Sequence, residues 1–293
     1  MCEAALFPED SPFLTTDTRK DRWAVPYTAE CLNARIGVLL KNHPDALQGK
    51  RVLDAGSHIG TFAFAALRLG ARAVVGVDSE PKTVDRCLAL FREAEVDREC
   101  YRFEVGNVFD VLEREGPEAF DTILCFGMLY YTQDPFRLLE LFSRAARETV
   151  LLDTFTAAYA AVQGKDAEMV RAAMRDETFR LPLLLTSLTR PDKKDYRLPE
   201  SFTVEGRELS LMSLPTEALL ETWFRALNWN RRKLDWSDHI TRPCTFHDLL
   251  SAEQKRSSHW ADVYASGIRV AYRLDRRDGS GHGAGSALPS PAR

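Results

Sequence analysis

Two acids, Asp54 and Asp78, each close a short apolar run, Arg51–Asp54 and Ala73–Asp78. The residues after the first acid, Ala55-Gly56-Ser57-His58-Ile59-Gly60, form a turn that opens an amphipathic helix. A glycine in such a turn lets the backbone approach a ligand closely, because no Cβ intervenes. A carboxylate at a strand tip accepts hydrogen bonds from hydroxyls or pairs with a cation. Strand, turn, helix and strand with an acid at both tips is the layout of a nucleoside-bearing cofactor site.

The spacing separates two kinds of nucleoside. A dinucleotide site uses G-x-G-x-x-G to cradle a pyrophosphate at a helix N-terminus. Here Gly56 and Gly60 flank His58, so the middle glycine is missing. Asp54 repels a pyrophosphate and attracts an ammonium group. That sign selects a sulfonium amino-acid nucleoside, S-adenosylmethionine, over NAD. Taken singly, Asp54 reads as a helix-capping group, Asp78 as a surface acid and the glycine turn as a plain connection. Their joint spacing inside one βαβ frame makes them a site.

A second constellation is Phe120-Asp-Thr-Ile-Leu-Cys-Phe-Gly-Met-Leu-Tyr-Tyr-Thr-Gln-Asp-Pro135. Its apolar strand ends at Phe126, and Gly127 permits a sharp exit at the carboxyl edge, where open α/β sheets hold ligands. Tyr130 and Tyr131 follow, either as packing aromatics or as groups facing a reactant.

The elements that position these residues alternate. A helix is expected over Ala29–Leu40, a strand over Arg51–Asp54, a helix over Thr61–Leu69 and a strand over Ala73–Asp78. Then come a helix over Lys82–Ala94 opened by Pro81, a weaker strand over Glu99–Val105 and a short helix over Val108–Arg114. A strand over Phe120–Phe126, a Pro135-led helix to about Glu148 and a strand over Thr149–Thr154 complete the series. This order predicts an α/β, Rossmann-like core: seven strands, mainly parallel, with helices on both faces. After it the pattern breaks into helical pieces, Ala157–Gly164 and Ala167–Arg175, an apolar run Leu181–Leu185 and a charged loop Arg190–Arg197, read as a helical insertion after the fifth strand. A helix over Pro215–Leu227 and strands over Arg231–Trp236 and Ile268–Leu274 return to the core.

The division follows: a lead-in and lid at 1–48, a core at 49–154 and 213–275, a substrate-covering insertion at 155–212, and a Gly, Ser, Ala and Pro tail at 276–293 read as disordered.

These motifs resemble the class I S-adenosylmethionine-dependent methyltransferases, over about residues 50–155 and again over 215–274. In that family the D-x-G-x-x-x-G turn wraps the methionine part, a role matched by Gly56, Ser57, His58 and Gly60 with Asp54 as organiser. Asp78, with Ser79 beside it, matches the acid that binds the ribose hydroxyls. Gly106-Asn107-Val108 resembles the family's G-D-x element, so the resemblance implies adenine contacts from Asn107 and the Val108 N–H. Phe126 completes the implied cofactor contacts.

The Phe120–Pro135 segment is similar to that of the subgroup containing the tRNA wobble 5-hydroxyuridine carboxymethyltransferase. Tyr130 falls on that subgroup's tyrosine at the cofactor's transferring end, and Tyr131 replaces its histidine. Arg269 lies near an arginine that binds a carboxylated donor there. The subgroup's N-terminal W-R-K-G-type lysine segment has no counterpart, which favours a plain methyl donor. The resemblance implies in-line methyl transfer to an O, N or C nucleophile, with Tyr130 as the candidate catalytic residue and Tyr131 and Arg269 as acceptor contacts. Trp23 and Tyr27 are candidates to close over the cofactor.

Bulk properties narrow the partners. The chain of 293 residues carries a formal charge of −4, so it has no general attraction for nucleic acid. Nothing approaches the ~18 apolar residues of a membrane span, and no signal peptide is legible. The six cysteines are scattered without C-x-x-C, as expected of reduced thiols in a cytoplasmic protein. The histidines, His239, His247 and His259 among them, form no i,i+4 metal pair, and no metal is expected.

A small-molecule acceptor fits the acidic chain and the insertion. A tRNA acceptor fits the subgroup resemblance, with Lys193, Lys194, Arg197 and Arg231-Arg232-Lys233 as phosphate contacts. A degenerate, non-catalytic binding protein is a further alternative, opposed by the intact Asp54, Gly56, Gly60 and Asp78. An NAD-dependent oxidoreductase is opposed by His58 and the missing glycine.

Overall fold

The fourth expected strand, Phe-Asp-Thr-Ile-Leu-Cys-Phe, is buried along its whole length, as a central strand covered on both faces must be. The computed structural model describes residues 5–14, 28–163, 167–189 and 201–277. Its elements in chain order are α1 (Ala29–Ile36), β1 (Arg51–Ala55), α2 (Thr61–Arg68), β2 (Ala73–Asp78), α3 (Pro81–Glu93), β3 (Tyr101–Val105), α4 (Val108–Glu115), β4 (Phe120–Phe126), α5 (Pro135–Ala145) and β5 (Ala146–Phe155). They continue with α6 (Ala158–Val162), α7 (Ala167–Ala173), β6 (Leu184–Thr189), β7 (Ser201–Val204), β8 (Arg207–Pro215), α8 (Glu217–Ala226), β9 (Trp229–Lys233), α9 (Ala252–Ser257), α10 (Asp262–Ala265) and β10 (Arg269–Arg276).

Seven strands form one sheet in the order β3-β2-β1-β4-β5-β10-β9. The first five are parallel, and β10 runs antiparallel to both β5 and β9. Alternate residues feed two cores. Val52, Val74, Leu124 and Leu151 face one, and Leu53, Val75, Ile123 and Leu152 face the other. The strand order reverses at β1, between β2 and β4, which opens a crevice at the carboxyl edge.

Local departures from the expected elements have local causes. The first helix becomes a π-helical turn over Gly37–Lys41, and the extra residue keeps Val38, Leu39 and Leu40 all buried. The fifth helix stops at Ala145 instead of Glu148. Ala146 pairs with Phe120 across an irregular register, so the strand begins without a loop. The strand expected over Arg231–Trp236 spans Trp229–Lys233.

The insertion is not wholly helical. Beside α6 and α7 it carries an antiparallel sheet ordered β6-β8-β7, and β8 runs straight into the cap of α8. Thr216 fixes that junction: its hydroxyl donates to the Leu181 carbonyl at 2.5 Å and accepts from the Leu183 N–H at 3.0 Å. Trp23, Tyr27, Lys193, Lys194, Arg197 and the 278–293 tail lie outside the described residues.

One buried carboxylate joins both ends of the core. Asp153 on β5, 0 % exposed, accepts two bonds from the Arg269 guanidinium, Nε at 2.7 Å and Nη2 at 3.0 Å. It also accepts from Arg35 Nη2 of α1 at 2.6 Å and from the Tyr264 hydroxyl at 3.3 Å. Burial pushes the Asp153 carboxyl up, but Arg269 and Arg35 more than offset this and hold it below its usual range.

Removing one partner of a buried ion pair costs about 3–5 kcal/mol, because the other charge is left uncompensated. Asp153→Asn is therefore expected to lose on that order in urea unfolding at pH 7. Asp45→Ala, which breaks the exposed Asp45–Arg273 pair, is expected to lose about 1 kcal/mol or less.

Candidate cofactor site

The turn after β1 is built by backbone bonds to the neighbouring strand. The Gly56 and Ser57 N–H groups both donate to the Val77 carbonyl of β2 at 2.9 Å, and the Gly60 N–H donates to Ser57 O at 2.8 Å. Gly56, His58 and Gly60 all have positive φ, at 75°, 48° and 79°. At Gly60 a side chain has no room, since an added Cβ would stand 2.5 Å from Cys87 Sγ and 2.7 Å from the Phe91 ring. His58 instead points to solvent. A non-glycine residue there bears only the ~1–2 kcal/mol cost of the left-handed conformation.

Asp78 locks onto this turn. Its Oδ2 accepts the His58 N–H and its Oδ1 the Glu80 N–H, both at 3.0 Å. Gly106 N–H bonds the Asp78 carbonyl at 2.9 Å, bringing the tip of β3 alongside. Asn107 there caps α4 through Oδ1, which accepts the Phe109 N–H at 3.0 Å. The Val108 N–H belongs to the first turn of α4, where no intrahelical acceptor exists.

Asp54 differs from Asp78. It is 2 % exposed, and its Oδ2 has no hydrogen-bond partner. The nearby Ser57 hydroxyl is buried and equally unpartnered. Burial raises the Asp54 carboxyl to about 7, opposed by the Ala63 backbone N–H and reinforced by the Asp78 charge. Two unsatisfied polar atoms beneath a glycine turn, beside a second acid, suit a ligand that brings an ammonium and ribose hydroxyls.

Across the crevice, Gly127 leaves β4 with φ 82° and donates its N–H to the Asp153 carbonyl at 2.7 Å. Tyr130 Oη and Arg269 Nη2 both lie 3.3 Å from where a Gly127 Cβ would stand. Tyr130 is buried, 5.1 Å from the Phe155 ring and 4.5 Å from Tyr131. Arg269 is 6 % exposed, stacks 4.6 Å over Phe155 and is engaged twice by Asp153. Phe126 packs edge-on to Phe62 at 4.8 Å. The halves meet at Gly56, where an added Cβ would stand 2.9 Å from Met128.

The fold thus gathers Asp54, Gly56, Ser57, His58, Gly60, Asp78 and Ser79 at one turn, with Asn107 and Val108 at the adjoining tip. Tyr130 and Arg269 converge at the other side. Sequence reasoning missed Asp153 and Arg35. The available signal was an acid ending the Leu151-Leu152-Asp153 run, since a charge within a buried strand demands a partner.

The basic strand β9 is largely neutralised. Arg231 pairs with Glu221, and Lys233 pairs with Glu217 at 2.6 Å. His247 contacts Asp176 and His259 contacts Glu30. Among the described residues no group of three His, Cys, Asp or Glu is placed to hold a metal, and no helix is long and apolar enough to cross a membrane. The described cysteines are free thiols.

Residues 47–181 match a family model described as a methyltransferase domain. Ubiquinone biosynthesis O-methyltransferase of Neisseria meningitidis serogroup C is 35 % identical over 99 residues, 33 % of this chain and 39 % of that protein. tRNA U34 carboxymethyltransferase of Campylobacter hominis is 35 % identical over 106 residues, 35 % of this chain and 34 % of that protein. The chain therefore matches well under half the length of these curated relatives.

A putative S-adenosylmethionine-dependent methyltransferase from Listeria monocytogenes superposes with a TM-score of 0.53 at 14 % identity, covering 84 % of this chain and 98 % of that one. The N-terminal domain of EvdMO1 with SAH bound gives 0.52 at 14 %, covering 81 % and 79 %. The fold that the sequence motifs implied is the fold observed.

The raised Asp54 carboxyl has a consequence for stability. Its folded-state value, about 7 against an ordinary 3.8, means the folded protein is stabilised by protonation at this site. That contribution is complete below about pH 4 and lost as pH rises through 7. Asp54→Asn is expected to be more stable than the parent at pH 8, by on the order of 2 kcal/mol, with the gap closing toward pH 5. Urea unfolding at both pH values measures it.

Proposed function

We propose that this chain, whose core has the class I S-adenosylmethionine-dependent methyltransferase fold, transfers the methyl group of S-adenosylmethionine to an O, N or C nucleophile of a small molecule. The observation that carries the reading is the pair of acids, Asp54 and Asp78, at neighbouring strand tips on either side of the left-handed turn. Asp78 would take the ribose hydroxyls, and Asp54 with Ser57 the ammonium of the amino-acid part. Asn107 and the Val108 N–H would face the adenine.

When bound, the donor supplies an electrophilic methyl on a sulfonium, so the protein's task is chiefly alignment. Tyr130, held against Phe155 and Tyr131 beside Gly127, would orient the acceptor. Tyr131 borders the same space.

Arg269 already spends two donors on Asp153, which supports a plain donor over a carboxylated one. The pairing of Arg231 and Lys233 with Glu221 and Glu217 supports a small acceptor over a tRNA. The insertion, anchored through Thr216, is the element that would cover the acceptor.

Calorimetry tests the reading. The folded protein is expected to bind S-adenosylmethionine, and Asp78→Ala to weaken it about 30-fold, the loss of about 2 kcal/mol of hydrogen bonding. Absent binding, or equal binding by Asp78→Ala with an unchanged circular dichroism spectrum, overturns it.

A further inference from the structure

The Asp54 carboxyl is enclosed without a partner for one of its oxygens, next to a second acid and an unpartnered hydroxyl. The groups facing it come from every element packed around it. Asp78 lies on β2, Ser57 on the turn, Cys87 on α3, Cys125 on β4, and the Ala63 N–H in the first turn of α2, while the His58 ring on the same turn is exposed. Burial pushes both thiols up, so they carry no charge near neutrality. None of these groups is a fixed cation.

An ionised carboxylate in such a place is shielded from bulk solvent and has no counter-ion among the groups around it, a costly arrangement that a proton relieves. A cationic group entering the turn supplies the missing counter-charge and makes ionisation favourable. Asp78 differs in that each of its two oxygens accepts a backbone N–H.

We propose that Asp54 is neutral in the empty site and ionises when the ammonium of the donor enters, so that cofactor binding releases a proton to solvent. The proposal rests on the methyl-donor reading above and adds its coupling to pH. The O–H bond of the Asp54 carboxyl breaks, the carboxylate forms beside the ammonium, and the proton passes to bulk water. No oxidant or co-reactant is involved. Affinity then rises with pH while the empty-site carboxyl is protonated, and levels off once it is ionised in both states.

Isothermal titration calorimetry with S-adenosylhomocysteine, which has the ammonium but no sulfonium, tests this between pH 5.5 and 7.5. Titrations run in pairs of buffers with different ionisation enthalpies. The expected result is close to one proton released per ligand at pH 5.5, falling toward pH 7.5, with affinity rising up to about tenfold per pH unit at the acid end. 5′-Methylthioadenosine, which lacks the amino-acid part, is expected to bind without proton release, and Asp54→Asn to bind S-adenosylhomocysteine without it.

Binding whose heat is the same in both buffers and whose affinity is flat with pH overturns the coupling while leaving the methyl-donor reading intact. Proton release that persists in Asp54→Asn, or that methylthioadenosine also provokes, assigns the proton elsewhere and overturns it too. No binding of S-adenosylhomocysteine at any pH overturns the reading and the coupling together. Should Asp54→Asn fail to fold, the buffer-pair titration of the parent protein with the two ligands decides on its own.

Discussion

The carboxylate of Asp153 is the point on which the architecture closes. It sits on β5, receives Arg35 from α1 near one end of the chain and Arg269 from β10 near the other, and its own carbonyl holds the Gly127 N–H. Two guanidiniums share this carboxylate in a solvent-shielded region, and each also lies over an aromatic ring, Phe62 or Phe155. Such a cluster gains little net stability over apolar packing, but breaking it is severe. It specifies where α1 and β10 dock, and the exit of β4 follows from that. Tyr264 extends the same network to a ring stacked 3.6 Å from Trp236, so the segment before β10 is fixed by the same charge.

The two sides of the crevice consequently differ in sign. Around β1 and β2 the groups at the strand tips are carboxylates, Asp54 unpartnered at one oxygen and Asp78 held by backbone N–H groups. Around β4, β5 and β10 they are a phenol and an arginine bound to an acid. A ligand with a cationic centre and hydroxyls would be favoured on the first side, with Tyr130 across the crevice. The field comes from the strand tips, because parallel strands deliver successive side chains to one edge. The coupling inferred for Asp54 is one outcome of that field: a buried acid near another acid awaits a counter-charge that the chain does not supply.

The insertion shows how a second sheet is added without disturbing the first. Strand β8 belongs to a separate antiparallel sheet, yet it ends in Pro215 and Thr216, which caps α8 and bonds Leu181 and Leu183. The junction is fixed by one hydroxyl that acts as cap, donor and acceptor at once.

Much of this was legible in the residues. Period and punctuation fixed the βα alternation, because an apolar run closed by an acid and followed by Gly56 and Gly60 has few other readings. The same run placed Asp54, Asp78 and Tyr130 at one edge, since the carboxyl ends of parallel strands coincide. What the chain alone left open was non-local. The partner of Arg269 is Asp153, 116 residues away, and that of Arg35 is Asp153, 118 residues away. No local pattern encodes either pairing. The sheet inside the insertion was hidden for the same reason, since strand β6 finds its partner β8 only when the chain returns. Likewise the composition shows that Asp54 is an acid, but only the enclosure of its carboxyl by β2, α2, α3 and β4 makes it a weak one.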